Sequence, residues 1–280
     1  MFILKRRQVS GFRGPGCLYS MKQLLLLVSL AQHCGLTLLF IVVMVAPIQG
    51  CGQKTVSWRV EKMPTDLETS FALSCLPSHV RQNATVYLLD PEKGYYIARQ
   101  GTNGFSCFVL RTDWQLGEFP QDFAAAISYD AEGTKVIFPV YADVEAMRAS
   151  GNFTAAQVKD SITARFARGY YKAPSRPGIS YMLAPVMRVY TDPGNTKSLT
   201  TFSMPHYMFY APYFTAADIG GDSPSDGPMV LGDGKNPHTY IILPAGKMEK
   251  ASIMDDNKKL MDRLVAYKPF FAVKSDMVHH

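Results

Sequence analysis

The stretch ATVYLLD-PEKG-YYIARQ-GTNG-FSCFVLR, residues 84–111, decides the fold. Asp90-Pro91 opens its first turn and Gly94 closes it, while Asn103-Gly104 supplies residues that tolerate a positive φ in the second turn. The apolar segments between these turns alternate as half-buried strands do. The spacing therefore predicts an antiparallel meander of three short strands, 84–90, 95–100 and 105–111.

The hydrophobic period then changes from that of strands to that of helices. We expect residues 113–134 to be irregular and 135–138 to form a further strand. Tyr141 to Ala149 reads as a short helix. Thr154 and Gln157 make a capping box for a second helix that runs to about residue 168, with Val158 and Ile162 four residues apart on its apolar stripe.

The second half of the chain returns to β character and ends in a helix. Residues 179–183, 188–190, 207–210 and 239–243 read as short strands, and 248–267 has helical spacing. We therefore predict an α+β fold with a meander-rich antiparallel sheet, two central helices and a C-terminal helix. Residues 51–75 would form a tether, 76–270 a single domain, and 271–280 a disordered tail.

The first fifty residues have the features of an export or membrane-targeting leader. They hold five Lys and Arg and no acidic residue, so the remainder of the chain keeps 24 of its 29 basic residues against 23 acidic ones. The net charge of that remainder is close to zero. A nucleic-acid partner is not expected, because such domains usually present a basic face.

Residues 24–47 are apolar, with positive charge only on their N-terminal side. They have the length of a signal-peptide core or of an uncleaved membrane anchor, and both interpretations place the rest of the chain outside the cytoplasm. Met21 is an alternative start to Met1. Ile48-Gln49-Gly50-Cys51 resembles the end of a bacterial lipoprotein signal, with Cys51 as the lipidated residue. Lipidation, cleavage nearby and retention as an anchor all remain open.

Histidine and cysteine positions give a weak case for catalysis. His79, His206 and His238 each lie close before a candidate strand, so a shared metal site is one hypothesis, although none has short regular spacing. No nucleophile elbow, dinucleotide motif or phosphate-binding loop is present, and we expect no cofactor. Cys107 alternates within an apolar strand, where a thiol is commonly inert. Cys75 and Cys107 either form a disulfide or remain free and buried.

The most distinctive aromatic stretch is PHYMFYAPYF, residues 205–214. Alternation places Tyr207 and Phe209 on one face of a strand and Tyr210 on the other. This pattern favours a central strand covered on both faces. The functional alternative is a pocket lined by Tyr207, Phe209, Tyr210 and Tyr213 for an apolar or sugar-like ligand.

Four segments occur in the order GTNGFSC (101–107), YDAEG (129–133), APSRPGISYML (173–183) and MFYAPY (208–213). Together they resemble a family of uncharacterised secreted or lipid-anchored bacterial proteins, over roughly residues 70–245. The resemblance implies an exported bacterial protein and no known activity. Family members often carry a Cys where this chain has Ser128. If that Cys pairs with the one matching Cys107, this chain lacks the partner, which favours free thiols here.

The sequence therefore predicts an exported envelope protein, attached to the membrane through its leader or a lipid on Cys51. Its folded part would be a non-catalytic binding or structural domain. The alternative is a hydrolase or metal-dependent enzyme that uses His206, His238 and His79.

Overall fold

Two β-sheets and their helices are built by residues 58–192, 194–221 and 227–273, which the computed structural model of the chain describes. The leader 1–50 and Cys51 lie outside this range. The first sheet has the strand order β2-β1-β3-β4-β6-β7. Its strands are β1 (Thr85–Asp90), β2 (Gly94–Arg99), β3 (Ser106–Leu110), β4 (Ala124–Tyr129), β6 (Met187–Tyr190) and β7 (Leu199–Phe202).

The second sheet is antiparallel throughout and has the order β5-β8-β10-β9. Its strands are β5 (Ile179–Met182), β8 (His206–Tyr210), β9 (Met229–Leu231) and β10 (Tyr240–Pro244). The helices are α1 (Thr65–Ser74), α2 (Ser78–Arg81), α3 (Ala131–Val136), α4 (Phe138–Ser150), α5 (Ala155–Ala167), α6 (Lys247–Asp256) and α7 (Lys258–Tyr267). The predicted α+β class is confirmed.

The predicted meander is correct for its three strands and first turn, and wrong for its second connection. β1 and β2 form an antiparallel hairpin closed by Gly94, but β3 pairs with the other side of β1 and runs parallel to it. The carbonyl of Asn83 accepts bonds from the amides of Thr102 and Asn103, so this segment crosses the start of β1. A Cβ at Gly101 would lie 2.3 Å from Ala84, so only glycine permits the crossing.

Residues 124–138 also differ from the prediction. The segment expected to be irregular contains β4, whose six residues are all buried. The strand expected over 135–138 is instead the end of α3 and the start of α4. Asp130 sets this change, because its Oδ1 accepts the Gly133 amide at 2.8 Å and caps α3.

One face of the first sheet is covered by α1 and α7. Phe71 of α1, Leu264 of α7 and Phe271 are fully buried together. The predicted tether over 51–75 is therefore wrong from the start of α1, and the predicted tail begins too early, because Phe271 is a core residue. α1 escaped prediction because its mixed polar sequence hides a narrow apolar stripe.

The opposite face of the first sheet packs on α3, α4 and the inner face of the second sheet. Phe108, Tyr129 and Phe138 form the centre of this layer. α5 lies behind α4 and buries Val158 and Ile162, as its predicted stripe requires, and its capping box is present.

The predicted C-terminal helix is two helices. Asn257 separates α6 from α7, and its side-chain amide donates to the Ile253 carbonyl at 2.8 Å. α7 buries Leu260 and Leu264, whereas α6 has no buried residue before this break. The apolar spacing continues across the break, so sequence alone indicates one helix.

Candidate functional site

The four segments that carry the resemblance meet at one place in the fold. Asp130 accepts the Tyr210 hydroxyl at 2.9 Å on Oδ1 and the Ile179 amide at 3.2 Å on Oδ2. A Cβ at Gly133 or at Gly178 would lie 2.1 or 2.5 Å from the Tyr210 ring or its hydroxyl. These motif residues therefore lock the end of β4 to the second sheet, and this junction is structural.

The remaining motif residues also have internal partners. Glu132 accepts both the amide and the hydroxyl of Ser175, at 2.7 and 2.8 Å. Asn103 donates to the Val80 carbonyl at 2.8 Å and accepts the amide of Phe105. Burial of the Tyr210 ring, beside the Asp130 carboxylate, raises the pKa of its hydroxyl far above the ordinary value. That hydroxyl is a fixed hydrogen-bond donor and a poor acid at neutral pH.

The three candidate histidines do not come together. His79 lies exposed in α2. His206 opens β8 opposite Pro244, whereas His238 lies beyond the other end of the same strand pair, where Tyr240 faces Tyr210. At about 3.3 Å per residue, roughly 20 Å separates the two. The predicted shared metal site is therefore wrong, and no cluster of metal-ligating side chains occurs among the described residues.

Both buried histidines have structural partners. The Nδ1 of His206 lies 2.7 Å from the Met204 carbonyl, and the Nε2 of His238 lies 2.9 Å from the Lys172 carbonyl. Burial lowers the pKa of each ring, and the carbonyl bond opposes that shift only in part. Each ring is therefore a neutral donor that fixes a loop.

Cys75 and Cys107 are free thiols with no exposed surface. Burial raises the pKa of Cys107 to about 12 and that of Cys75 well above its ordinary value, so neither is a thiolate nucleophile at neutral pH. Cys107 lies directly opposite Ser128 in the β3–β4 register. A Cys at position 128, the state that the resemblance attributes to related chains, would face Cys107 across the sheet.

The aromatic strand β8 is buried on one face only, whereas the sequence predicts a strand covered on both faces. Met208 and Tyr210 face the core, but Phe209 is 40% exposed and Tyr207 is half-buried, so β8 is covered on one face only. Tyr210 lines no open site. Tyr213 lies beyond the strand, is largely exposed and has a φ of 66°, uncommon for a residue with a side chain. The four tyrosine and phenylalanine side chains therefore do not line one pocket.

Tyr207 and Phe209 instead belong to an apolar surface that spans the second sheet, which we call the outer face. Its side chains form two rows in register across the strands. One row is Ile179, Phe209, Ile241 and Val230, and the other is Tyr181, Tyr207 and Leu243. All seven are half-buried or exposed. The Tyr207 hydroxyl donates to Glu249 of α6 at the border.

The outer face continues a covered surface. Tyr181 and Phe105, whose rings are 5.7 Å apart, pack against the layer formed by α1 and α7. The two sheets join where Ser128 of β4 bonds to the backbone of Tyr181 in β5. The outer face of the second sheet is therefore continuous with the face of the first sheet that α1 and α7 cover, but no helix among the described elements covers it.

Sequence reasoning missed four buried charged residues: Arg111 and Arg148, with Glu68 and Glu145, all under 5% exposed. Burial raises the pKa of Glu68 to about 7, against the lowering effect of the Leu89 amide, which bonds to its carboxylate. No local pattern marks a lone charged residue as internal, so only the tertiary packing identifies this group.

No α-helix in the described part of the chain has the length and apolar composition needed to cross a bilayer. Comparison with protein-family models, with curated proteins and with solved structures finds no match for this chain.

Proposed function

We propose that the chain is an exported bacterial envelope protein, held at the membrane by its leader or by a lipid on Cys51. The support is the leader itself, with basic residues on one side of the apolar stretch 24–47 and Gly50-Cys51 after it. The mass of the mature N-terminus tests this. A lipidated Cys51, cleavage nearby and an intact anchor give three different masses, and a cytoplasmic chain with an intact, unanchored leader would refute export.

We further propose that the folded part is a non-catalytic binding domain, and that its outer face binds one amphipathic helix of a protein partner. The observation that carries this proposal is the open, apolar, in-register surface of the second sheet. Contiguous exposed apolar surface of this kind marks interaction sites. The rings of His206 and His238 are occupied by hydrogen bonds to backbone carbonyls, and the thiols of Cys75 and Cys107 are fully buried.

The dimensions of the outer face favour a helix. Four strands about 4.8 Å apart give a width of about 14 Å, which accommodates one helix about 10 Å across. The strands are at most five residues long, so the footprint is far below the roughly 800 Å² per partner of a stable dimer interface. On the first sheet, helices α1 and α7 already cover the equivalent face.

Site-specific photo-crosslinking in the producing cells tests the binding proposal. A photoreactive residue at Phe209 is expected to give one discrete adduct with another protein. The same residue at Ile97, an exposed apolar position on β2 of the first sheet, is the matched control and should give none. Leu243→Ser should abolish the adduct without changing the amount of folded protein.

Other adducts would contradict the proposal in distinguishable ways. An adduct of twice the chain mass identifies a second copy, and an adduct with lipid identifies a membrane contact. Equal adducts from positions 209 and 97 would show that the outer face has no preferred partner. Each of these results rejects a helical protein partner and leaves the export proposal intact.

A further inference from the structure

A small cavity of about 100 Å³ lies where α7 ends and shares no lining residue with the outer face. Its polar lining comes from Glu61, Arg111, Gln121, Asp122, Tyr267 and Lys268, and Phe270 supplies part of its apolar wall. The volume corresponds to about three water molecules, so the cavity has room for a small solute. Two buried groups of the protein, the guanidinium of Arg111 and the hydroxyl of Tyr267, determine which solute would bind there.

Arg111 is the buried cation of the cavity, at 4% exposed. Its Nε donates to the Phe123 carbonyl at 3.2 Å, but Nη1 and Nη2 each reach a carbonyl only at 3.5 Å, the limit of a hydrogen bond. Each terminal nitrogen carries two N–H groups, so the fork keeps donor capacity. A planar fork of this kind suits the two oxygens of a carboxylate.

Arg148 is the internal control for this argument. It is equally buried, but its guanidinium makes four contacts of 2.6–3.0 Å, to the carbonyls of Trp58, Arg111 and Pro120 and the hydroxyl of Thr112. Arg148 thus makes four short bonds for its five N–H donors, whereas Arg111 makes one of 3.2 Å and two contacts at 3.5 Å. Burial alone does not explain the difference.

Tyr267 supplies a second donor. Its hydroxyl oxygen is buried and has no hydrogen-bond partner among the described residues, a costly arrangement for a polar atom. The residue lines the same cavity as Arg111. An acceptor placed in the cavity would satisfy both groups.

The carboxylates at the cavity rim are already paired with other cations. Glu61 lies 2.6 Å from the Lys268 ammonium, and Asp122 pairs with Arg188. Neither carboxylate pairs with Arg111, and Glu68 and Glu145, whose charges do interact with Arg111, are not part of the cavity lining. Met63 and Phe271, both at most 2% exposed, complete an apolar wall beside these polar groups.

We propose that this cavity binds a small monocarboxylate. Its oxygens accept from the Arg111 fork and from the Tyr267 hydroxyl, and its short apolar part lies against Met63, Phe270 and Phe271. A single negative charge matches the site, because Lys268 is paired with Glu61 and Arg188 with Asp122, which leaves Arg111 as the cation that meets the ligand. The site is independent of the outer face and its partner.

Thermal unfolding of the full chain in detergent at pH 7.5 and constant ionic strength tests this site. Sodium acetate is expected to raise Tm saturably relative to sodium chloride, because a ligand that binds only the folded state stabilises it. Acetamide, which has the same shape without the charge, is expected to leave Tm unchanged. Tyr267→Phe should weaken the acetate response about tenfold, a loss typical of one hydrogen bond to a charged group.

Tyr96→Phe, at an exposed tyrosine of β2, is the matched control and should keep the full acetate response. In chloride, Tyr267→Phe should be at least as stable as the parent, because it removes an unsatisfied hydroxyl. Equal Tm values in acetate and chloride would overturn the proposal. So would an equal effect of acetamide, or a Tyr267→Phe variant with an undiminished acetate shift.

Discussion

The two sheets of this protein contain similar apolar and aromatic side chains but bury them to different extents. In the first sheet, β3 is buried on both faces, with Cys107 and Val109 toward α1 and α7 and Phe108 toward α3 and α4. In the second sheet, β8 alternates between the buried Met208 and the exposed Phe209. The first sheet thus concentrates the burial that stabilises the fold. The second sheet leaves apolar surface free, and that surface is available for recognition.

The largest expected difference between the two sheets is the loss of stability on removing one phenylalanine from each, Phe108 from the first and Phe209 from the second. Phe108→Ala should destabilise the fold by about 3–5 kcal/mol, because it leaves a cavity among four aromatic rings in the central layer. Phe209→Ala should cost less than about 1 kcal/mol, since its ring is 40% exposed. Urea unfolding of both variants measures the difference.

A similar loss for both variants would show that the outer face is covered within the protein itself. Phe209→Leu serves as the conservative control, because it retains apolar area and should be close to the parent in stability.

The second expected effect concerns the pH dependence of stability, to which Glu68, buried against the first sheet, contributes. Its folded pKa of about 7 exceeds the ordinary value of 4.5, so the folded state binds more protons than the unfolded state between these pH values. The contribution of Glu68 to the free energy of unfolding therefore falls as the pH rises from 4.5 to 7, and it stays low above pH 7. Glu68→Gln should raise the free energy of unfolding at pH 8 by about 3 kcal/mol.

The glutamine can still accept the Leu89 amide, which the carboxylate accepts at 2.9 Å. Urea unfolding at pH 5 and at pH 8 checks this result, with the exposed Glu92→Gln as control. A Glu68→Gln variant with the same pH dependence as the parent would show that Glu68 stays ionised in the folded protein.

Sequence patterns predicted the elements that carry strong local signals. The hairpin closed by Gly94 and the helix capped by Thr154 were both predicted, because turn and cap chemistry lies within a few residues. β4 was missed because its first half is three alanines, which have weak strand propensity and enter a strand here through burial on both faces. The parallel placement of β3 depends on contacts of Asn83 that have no local signature.

The candidate sites were less predictable than the fold. Tyr207 and Phe209 were recognised as aromatic and alternating, but the uncovered face of β8 depends on where α1 and α7 end. Arg111 was counted as the end of a strand. Its unsatisfied donors appear only when the backbone carbonyls around it are placed, because hydrogen-bond saturation is a tertiary property.

The smallest of the three effects concerns the junction between the sheets. The Ser128 hydroxyl donates to the Tyr181 carbonyl at 3.2 Å and accepts the Tyr181 amide at 3.1 Å, so it extends the link between β4 and β5 beyond the backbone bond from the Asp130 amide to the Ile179 carbonyl. Ser128→Ala leaves both groups of Tyr181 without this partner and should cost about 1–3 kcal/mol. The Tyr181 amide should also exchange its hydrogen faster, because the link that orders β5 is lost.

Ser70→Ala in α1 is the matched control, because the Ser70 hydroxyl donates to the Asp66 carbonyl of its own helix, accepts a 3.4 Å contact from the exposed Arg263, and is replaced by a residue that favours helices. That variant should be within about 0.5 kcal/mol of the parent. If Ser128→Ala costs no more than Ser70→Ala, the second sheet is held by its inner face and by the bonds of Asp130 to Tyr210 and Ile179. The part of the outer face around Tyr181 would then be free to move relative to α1 and α7, and a partner helix would have to order it on binding. A larger cost for Ser128→Ala would instead mean that the outer face is preorganised for its partner.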